Sequence, residues 1–252
     1  MKDWPLAPRY RLLRPGLTPY DDALRLQHRL ADEVRGGEPP ALVLVEHPPV
    51  YTLGVRGRGE HLLGGEARLR ALGADVARTD RGGDVTWHGP GQLVGYPIVD
   101  LRALGLGAAD YVRRLEALLI DAVACFGIVA GRSPKNAGVW VGDAKLAAIG
   151  VRISRGVTTH GFAVNVSPDL RWYEHIVPCG LPNARVTSMQ ALTGERFLMA
   201  DVEDEVARAF ERAFGVALIA PDAGADRSGD LSLRETRSAS PNDIAEEVAV
   251  GR

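Results

Sequence analysis

The sequence predicts a mixed α/β (α+β) architecture, in which helices cover a sheet that contains both parallel and antiparallel strands. Strand-like and helix-like segments alternate along the chain, but without the regular strand–helix–strand rhythm of an all-parallel sheet. The centre of the chain, residues 138–166, is rich in hairpin signals, and hairpins join antiparallel strands. We expect residues 1–220 to form a single domain.

Composition is that of an ordinary globular protein and excludes several classes of function. The 252 residues are 46% hydrophobic, enough to bury a sizeable core, and the net charge of −2 argues against a dedicated nucleic-acid binder. No apolar run approaches the roughly 20 residues that span a bilayer, and the first residues lack a signal-peptide core. We therefore expect a cytoplasmic protein whose two cysteines, Cys125 and Cys179, are free thiols.

The N-terminal quarter predicts three strands and one helix. A short strand at 10–13 precedes a helix from Thr18 to about Val34, with Thr18 as a plausible N-cap and Gly36-Gly37 as the end. Residues 41–45 form a continuous apolar run typical of a strand that is buried on both faces. Another strand follows at 50–53.

The next segments lead to a polar strand. Residues 54–65 contain five glycines and two arginines, so we expect a mobile loop on the substrate side. A short helix at 66–72 and a strand at 75–77 come before the Arg81-Gly82-Gly83 turn. Thr86 and His88 then alternate with Val85 and Trp87, which points one pair to a core and the other to a cleft. His88 could orient a substrate, donate to an oxyanion or pack structurally.

The clearest helix covers residues 109–126, where apolar side chains recur at helical spacing. Cys125 lies near this stripe, and we interpret it as a core residue. Further on, Thr187-Ser188 begins a short helix, and Asp201 is a candidate cap for an amphipathic helix that ends near Phe214. Residues 221–252 are rich in Pro, Asp, Ser, Gly and Arg, and we expect a flexible tail there.

Three strands at 139–141, 145–153 and 157–166 are joined by Gly142-Asp143 and Arg155-Gly156 turns. Alternation places Lys145 on the same side as Ala147 and Ile149. Because burial disfavours the charged form of an amine, Lys145 is a candidate proton shuttle; a lysine at a hairpin mouth with its amine in water is equally compatible.

Cys179 stands between Pro178 and Gly180, in a rigid turn that could present a nucleophile. The neighbouring glycine would let a substrate approach, with a backbone N–H available to an oxyanion. The alternative is a small buried hydrophobic residue. On the third strand, His160 would share a face with Phe162 and Val164, as an orienting group, an oxyanion donor or a structural histidine.

Several of these segments together resemble one family. Residues 81–92 (RGGDVTWHGPGQ) with Tyr96-Pro97, and residues 145–150, 160–166 and 178–181, look like the signatures of the octanoyltransferases of lipoate biosynthesis, also called lipoate-protein ligase B. The resemblance runs from about His47 to Leu181. The family usually has leucine where this chain has Val164, a conservative apolar change.

The resemblance implies a fold like the catalytic domain of biotin and lipoate protein ligases. It implies transfer of an octanoyl or lipoyl group from acyl carrier protein to a specific lysine of lipoyl domains of 2-oxoacid dehydrogenases and of the glycine cleavage H protein. Cys179 would carry the acyl group as a thioester and Lys145 would move its proton. No cofactor or metal is implied, and the protein would be a monomer that binds neither nucleic acid nor membrane.

The implied substrate-binding residues are spread over three segments. They are Arg81, Gly82, Gly83, Thr86, Trp87, His88, Gly89, Ala148, Ile149, Gly150, His160, Gly161, Phe162, Ala163 and Asn165. An octanoyl chain needs an apolar tunnel, for which Val139, Trp140, Ala147 and Ile149 are possible linings. Positive charge could attract acidic carrier proteins, and the candidates are Arg132, Lys135, Arg152 and Arg155.

Three other functions are compatible with parts of the sequence. The first is an ATP-dependent lipoate or biotin ligase of the same fold, which would not need Cys179. The second is a cysteine hydrolase that pairs Cys179 with His160 or His175. The third is a zinc- or cofactor-binding protein built from His88, His160, His175 and Cys179, although their spacing matches no metal template.

Overall fold

A computed structural model describes residues 7–57, 59–134, 136–177 and 185–220. Its strands are β1 (Arg9–Leu17), β2 (Ala41–Glu46), β3 (Val50–Leu53), β4 (Asp75–Arg78), β5 (Val85–His88), β6 (Gln92–Ile98), β7 (Gly138–Val141), β8 (Ala144–Ser154), β9 (Val157–Asn165), β10 (Arg185–Val186) and β11 (Ala217–Ile219). Its helices are α1 (Tyr20–Arg35), α2 (Gly65–Ala71), α3 (Ala108–Ala124), α4 (Met189–Thr193) and α5 (Met199–Phe214), with 3₁₀ turns at Gly59–His61 and Leu170–His175.

The strands of the described ranges form two sheets. The larger has eight strands in the order β10-β8-β9-β6-β2-β1-β11, with β7 also paired to β8. Strand β1 pairs in parallel with β2 and β11, and β10 with β8, whereas the remaining pairs are antiparallel. The smaller sheet has the order β4-β3-β5. This mixed pairing confirms the predicted fold class.

Helices α3 and α5 cover one face of the larger sheet. Leu115 and Leu119 of α3 and Phe210 of α5 are fully buried against sheet residues such as Leu42 and Leu93. The 3.6-residue period of the apolar positions explains why each helix presents one continuous stripe to the sheet.

Helix α1 covers part of the opposite face. Ala23 and Leu30 of α1 pack against Val43 and Val45 of β2 and against Tyr96 of β6. Strand β2 is thus buried on both faces, as its continuous apolar run predicts.

Both predicted helix caps are wrong, by one residue at α1 and by three residues at α5. Helix α1 begins at Tyr20 with Pro19 in the N-cap position, and the Thr18 hydroxyl hydrogen-bonds backwards to the carbonyl oxygen of Gly16. Helix α5 begins at Met199, so Asp201 lies in its first turn. An acidic group in the first turn still favours the helix dipole, which is why both positions give the same sequence signal.

Cys125 is exposed, and its assignment to the core is wrong. It follows the last residue of α3, where the chain leaves the helix, and its Sγ lies 3.7 Å from the carbonyl oxygen of Asp121. The buried stripe of α3 ends at Val123.

The smaller sheet has a hydrophobic cluster of its own. Tyr51, Trp87 and Leu69 are buried there together with Ile176. The indole of Trp87 stacks on Trp172, with ring centroids 6.0 Å apart. This cluster holds β5 in front of the larger sheet and so builds one wall of the cavity described below.

In the part of the chain that the structure describes, none of the helices combines the length and the apolar character needed to cross a membrane. Three predicted features lie outside the described residues: the segment 178–184, which carries Cys179, the tail 221–252, and the candidate carrier-binding residue Lys135.

Candidate active site

A cavity of about 340 Å³ lies between the smaller sheet and the face of the larger sheet that α1 covers. Its volume is in the range of small-molecule sites. Thirteen residues predicted from the sequence line it: Arg81, Gly82, Gly83, Thr86, His88, Lys145, Ala148, Ile149, Gly150, His160, Gly161, Phe162 and Ala163. Arg56, from the loop expected on the substrate side, also lines it. Residues that the sequence analysis missed complete the lining: Tyr20, Asp84, Val85, Val94, Tyr96, Asn136 and Ala137.

Three predicted substrate-binding residues do not line the cavity. Trp87 alternates with Thr86 and His88, so its ring points into the cluster of the smaller sheet. Gly89 packs against that ring, because a Cβ there would collide with the indole. Asn165 bonds to Gln92 and to backbone, as described below.

Lys145 reaches the cavity because of a β-bulge. In the β7–β8 pair Val139 is opposite Ala147, whereas the next residue, Trp140, is opposite Lys145. Leu146 is therefore an extra residue, and both it and Ala147 pack into the core beneath α3. The prediction that Lys145 shares a face with Ala147 is wrong, since a bulge reverses the alternation on one side of it.

The side chain of Lys145 is enclosed, with 8% of its surface exposed. Its Nζ lies 5.3 Å from the centroid of the Trp140 ring, a cation–π distance. Gly138, at φ 138°, leaves room for the stem, because a Cβ there would lie 2.7 Å from the Lys145 Cε. Val139 and Ala147 face the helices and Trp140 faces Lys145, so of the four predicted tunnel residues Ile149 alone lines the described cavity.

Arg81 braces the wall formed by the smaller sheet. Its guanidinium is buried and donates to the backbone oxygens of Thr52 (2.6 Å) and Asp84 (2.8 Å). The next residue, Gly82, donates from its N–H to Val151 of β8 at 2.9 Å. A Cβ at Gly150 would lie 2.8 Å from the Gly82 oxygen, so this close approach of loop to strand requires glycine.

The position of His160 depends on an unusual backbone conformation. Its φ is 56°, in the left-handed region, and its ring lies edge-on to Tyr96, centroids 6.4 Å apart. Tyr96 belongs to the α1 side of the sheet, whereas Phe162 and Val164 pack on the α3 side. The expectation that His160 shares the face of Phe162 and Val164 is wrong, because the left-handed residue interrupts the alternation.

Asp80 connects His160 to Arg152. The His160 Nε2 lies 2.7 Å from Asp80 Oδ1, and Arg152 forms an ion pair with the other carboxylate oxygen. Burial acts to raise the pKa of Asp80, but the His160 hydrogen bond and the neighbouring positive charges outweigh it and lower the pKa to about 2. Burial lowers the pKa of His160.

Two further buried histidines lie beside the cavity. His47 donates from Nδ1 to the Thr18 carbonyl, and its Nε2 accepts from the Tyr96 hydroxyl at 2.7 Å. Burial lowers its pKa to about 4. His88, with Nδ1 2.7 Å from Gln92 Oε1, has its pKa lowered to about 3 by burial and by the proximity of His47. Both rings are neutral at pH 7.

The buried histidines predict acid sensitivity in the range pH 7 to 5. Histidine in the unfolded chain has a pKa of about 6.5, so on acidification it binds a proton, whereas the buried histidines of the folded chain stay neutral. Because the unfolded state then binds more protons, the free energy of unfolding decreases as the pH is lowered, by up to about 1.4 kcal/mol per pH unit for each histidine. Urea denaturation at several pH values measures this slope.

Replacing one buried histidine tests whether these side chains cause the pH dependence of the free energy of unfolding. His47→Gln is expected to make the pH dependence of the free energy of unfolding shallower by up to one proton, because the variant lacks one imidazole whose pKa burial lowers. Equal slopes in His47→Gln and the unaltered protein would contradict the assignment. A test above pH 5 avoids the titration of most carboxylates.

Within the described residues there is no group of three His, Cys, Asp or Glu side chains arranged to hold a metal ion.

The fold agrees with what comparison to known proteins finds. Residues 19–211 match the family described as lipoyl protein ligase A/B catalytic domain, and the chain belongs to that family. A solved lipoate-protein ligase A bound with ATP has the same fold, with a TM-score of 0.69 at 17% identity over 84% of this chain and 88% of that one.

The particular relatives of this chain are octanoyltransferases. It is 48% identical to the octanoyltransferase of Rubrobacter xylanophilus, over 80% of this chain and 91% of the relative. It is 50% identical to that of Solibacter usitatus, over 81% and 92%.

Proposed function

We propose that this protein transfers an octanoyl group from acyl carrier protein to a specific lysine of lipoyl domains, in the attachment of lipoate to proteins. The observation that carries the proposal is the convergence of Lys145 with residues 81–86, 148–150 and 160–163 on one cavity. These segments are far apart in the sequence and carry the signatures of the family. The octanoyltransferase relatives support the same acyl group and reaction.

The chemistry of the lining suits an uncharged acyl chain. Burial lowers the pKa values of His88 and His160 and raises those of Tyr20 and Tyr96, so all four side chains are neutral at pH 7. Val94 and Ala163, which pack on the same face of the larger sheet as Tyr96, add apolar surface to this part of the lining. The hydrocarbon part of an octanoyl group needs only apolar contact, which this part of the lining supplies.

The proposed mechanism is a two-step exchange through Cys179. Lys145 accepts the thiol proton, Sγ forms a bond to the thioester carbonyl carbon, and the carrier thiolate leaves and takes up that proton. The acceptor lysine amine then attacks the S-octanoyl group, and the new C–N bond forms as the C–S bond breaks. Lys145 accepts the amine proton and passes it to the departing Cys179 thiolate, which restores the thiol and the neutral Lys145 amine. The donor is already an activated thioester, so no ATP is consumed.

Both neighbours of the Cys179 segment in the chain are anchored beside the cavity, which supports this role. The N–H of Val177 donates to the carbonyl oxygen of His61, whose ring lies 2.6 Å from Asp84 of the lining. On the other side, Val186 of β10 pairs directly with Lys145 of β8.

The four predicted carrier-binding cations differ in what they can offer an acidic partner. Arg132 forms an ion pair with Glu116 and Arg152 with Asp80, so much of their charge is neutralised within the molecule. Arg155, at the tip of the β8–β9 hairpin, is exposed. Lys135 lies outside the described residues. We propose Arg155 as the main contributor to carrier attraction among the described three.

An assay of substrate requirements tests the function. With octanoyl-acyl carrier protein and a lipoyl domain, and without ATP, one acceptor lysine is expected to gain one octanoyl group, detected by mass spectrometry. Modification from free octanoate plus ATP without carrier would instead identify a ligase. Sustained release of free octanoate in the absence of an acceptor would identify a hydrolase.

Three further properties are also proposals. We propose that residues 1–220 form one catalytic domain, a range that contains the family match at 19–211. We propose that the protein acts in the cytoplasm and as a monomer. Gel filtration with light scattering measures the last of these directly.

A further inference from the structure

Two amide side chains, Gln92 and Asn165, face each other across β6 and β9, just outside the cavity lining. They are 1% and 3% exposed. Burying an amide is costly unless its polar atoms are all bonded, and here every one has a partner. The contacts lead from this pair to two residues of the cavity, His88 and Lys145.

The direction of each hydrogen bond follows from the backbone. The Thr187 carbonyl can only accept, so the group of Asn165 that faces it at 3.0 Å is the NH₂. Asn165 Oδ1 must then accept from Gln92 Nε2, at 2.9 Å. The Trp87 carbonyl, 3.3 Å from the same Nε2, requires the same orientation.

The tautomer of His88 follows in turn. Gln92 presents its Oε1 to His88 Nδ1 at 2.7 Å, and an amide oxygen only accepts, so Nδ1 carries the proton. The Nε2 of the neutral ring is therefore bare, and it lies 3.4 Å from the Thr52 hydroxyl. This excludes one role left open by the sequence, since a ring in this state has no N–H to give to an oxyanion.

On the side away from His88, this hydrogen-bond network reaches the backbone of Lys145. The N–H of Thr187 donates to the Lys145 carbonyl at 3.0 Å, directly after β10. Strand β10 contributes two residues to the sheet, so side-chain bonds at Thr187 matter for holding it. Asn165 supplies such a bond to the carbonyl of Thr187.

We propose that Gln92 and Asn165 are positioning residues, which hold His88 as the Nδ1-protonated tautomer and hold the β8–β10 pair at Lys145. Neither side chain touches the substrate. The kinetic part of this inference depends on the proposed octanoyl transfer, whereas the tautomer can be measured in the resting protein.

The first test is the tautomer of His88, read by ¹⁵N NMR of histidine-labelled protein, because protonated and bare ring nitrogens have distinct shifts. We expect a single Nδ1-protonated form in the unaltered protein. In Gln92→Met the acceptor is lost, and a measurable Nε2-protonated population is expected. An unchanged tautomer in this variant would overturn the His88 half of the proposal.

The second test is kinetic. Gln92→Met is expected to lower kcat for octanoyl transfer about tenfold or more, with the KM for the octanoyl carrier changed less than about threefold, since a small misplacement of catalytic groups acts on the chemical step. Gln190→Met is the matched control: the same replacement on α4, at a half-buried site outside this chain of bonds. Wild-type kcat in Gln92→Met would overturn the positioning role.

Gln92→Glu separates the effect on the His88 tautomer from the effect on Lys145. It also provides a test if the methionine variant does not fold. A carboxylate still accepts from His88 Nδ1–H, but it cannot donate to Asn165. We expect the wild-type tautomer together with a lowered kcat. A wild-type kcat in Gln92→Glu would overturn the Lys145 half of the proposal.

Discussion

Replacement of Cys179 by alanine is expected to abolish octanoyl transfer, with a loss of about 10⁴-fold or more, the scale seen when a covalent nucleophile is removed. In the proposed mechanism no other group can carry the acyl chain between the two partner proteins. Incubation with octanoyl-acyl carrier protein, followed by mass spectrometry, should show one octanoyl group on Cys179 that hydroxylamine removes.

The chain contains its own control for this experiment. Cys125 is an exposed thiol that follows α3 and does not line the cavity, so Cys125→Ala should retain both the adduct and the activity. A hydroxylamine-labile adduct that persists in Cys179→Ala would remove Cys179 from the mechanism and would favour an ATP-dependent route on the same fold.

Replacement of Lys145 by methionine is expected to slow formation of the acyl-enzyme by about 10²–10⁴-fold, the usual contribution of a positioned acid–base group. Methionine keeps most of the apolar stem, which packs beside Trp140 and Gly138, so the fold should be retained. Single-turnover acylation, measured by rapid quenching and mass spectrometry, gives this rate without the later steps.

A second replacement at the same position shows whether Lys145 acts by transferring protons or only through its positive charge. Lys145→Arg preserves the positive charge, but a guanidinium does not give up its proton in proteins. If Lys145 moves protons, the arginine variant should be about as slow as the methionine variant. Near-normal acylation by Lys145→Arg would show instead that Lys145 acts through its charge.

Much of the fold could be predicted because its signals are local. The apolar run of β2, the helical stripe of α3 and the glycines that turn β7 into β8 and β8 into β9 each depend on neighbouring residues alone. Helix caps were harder, because an acidic or hydroxyl residue favours the first turn as well as the cap.

The sequence predicted which segments form the candidate site, but it predicted the directions of their side chains less well. Tyr20 and Tyr96 were missed as lining residues. The sequence feature that could have identified them is a side chain with a polar end on an otherwise apolar face. Asn165 was expected to bind substrate, but the structure places it in the hydrogen-bonded pair with Gln92. No periodicity distinguishes these two uses of a buried amide.

The amino-acid sequence by itself determined the elements, the family and the segments that carry the chemistry, since these depend on residue type and short-range spacing. Only the tertiary structure decided which side chains enter the cavity. The physical reason is that alternation along a strand holds only while its register is unbroken. The extra residue at Leu146 turns Lys145 towards the cavity, and the left-handed backbone at His160 turns its ring towards Tyr96 and Asp80.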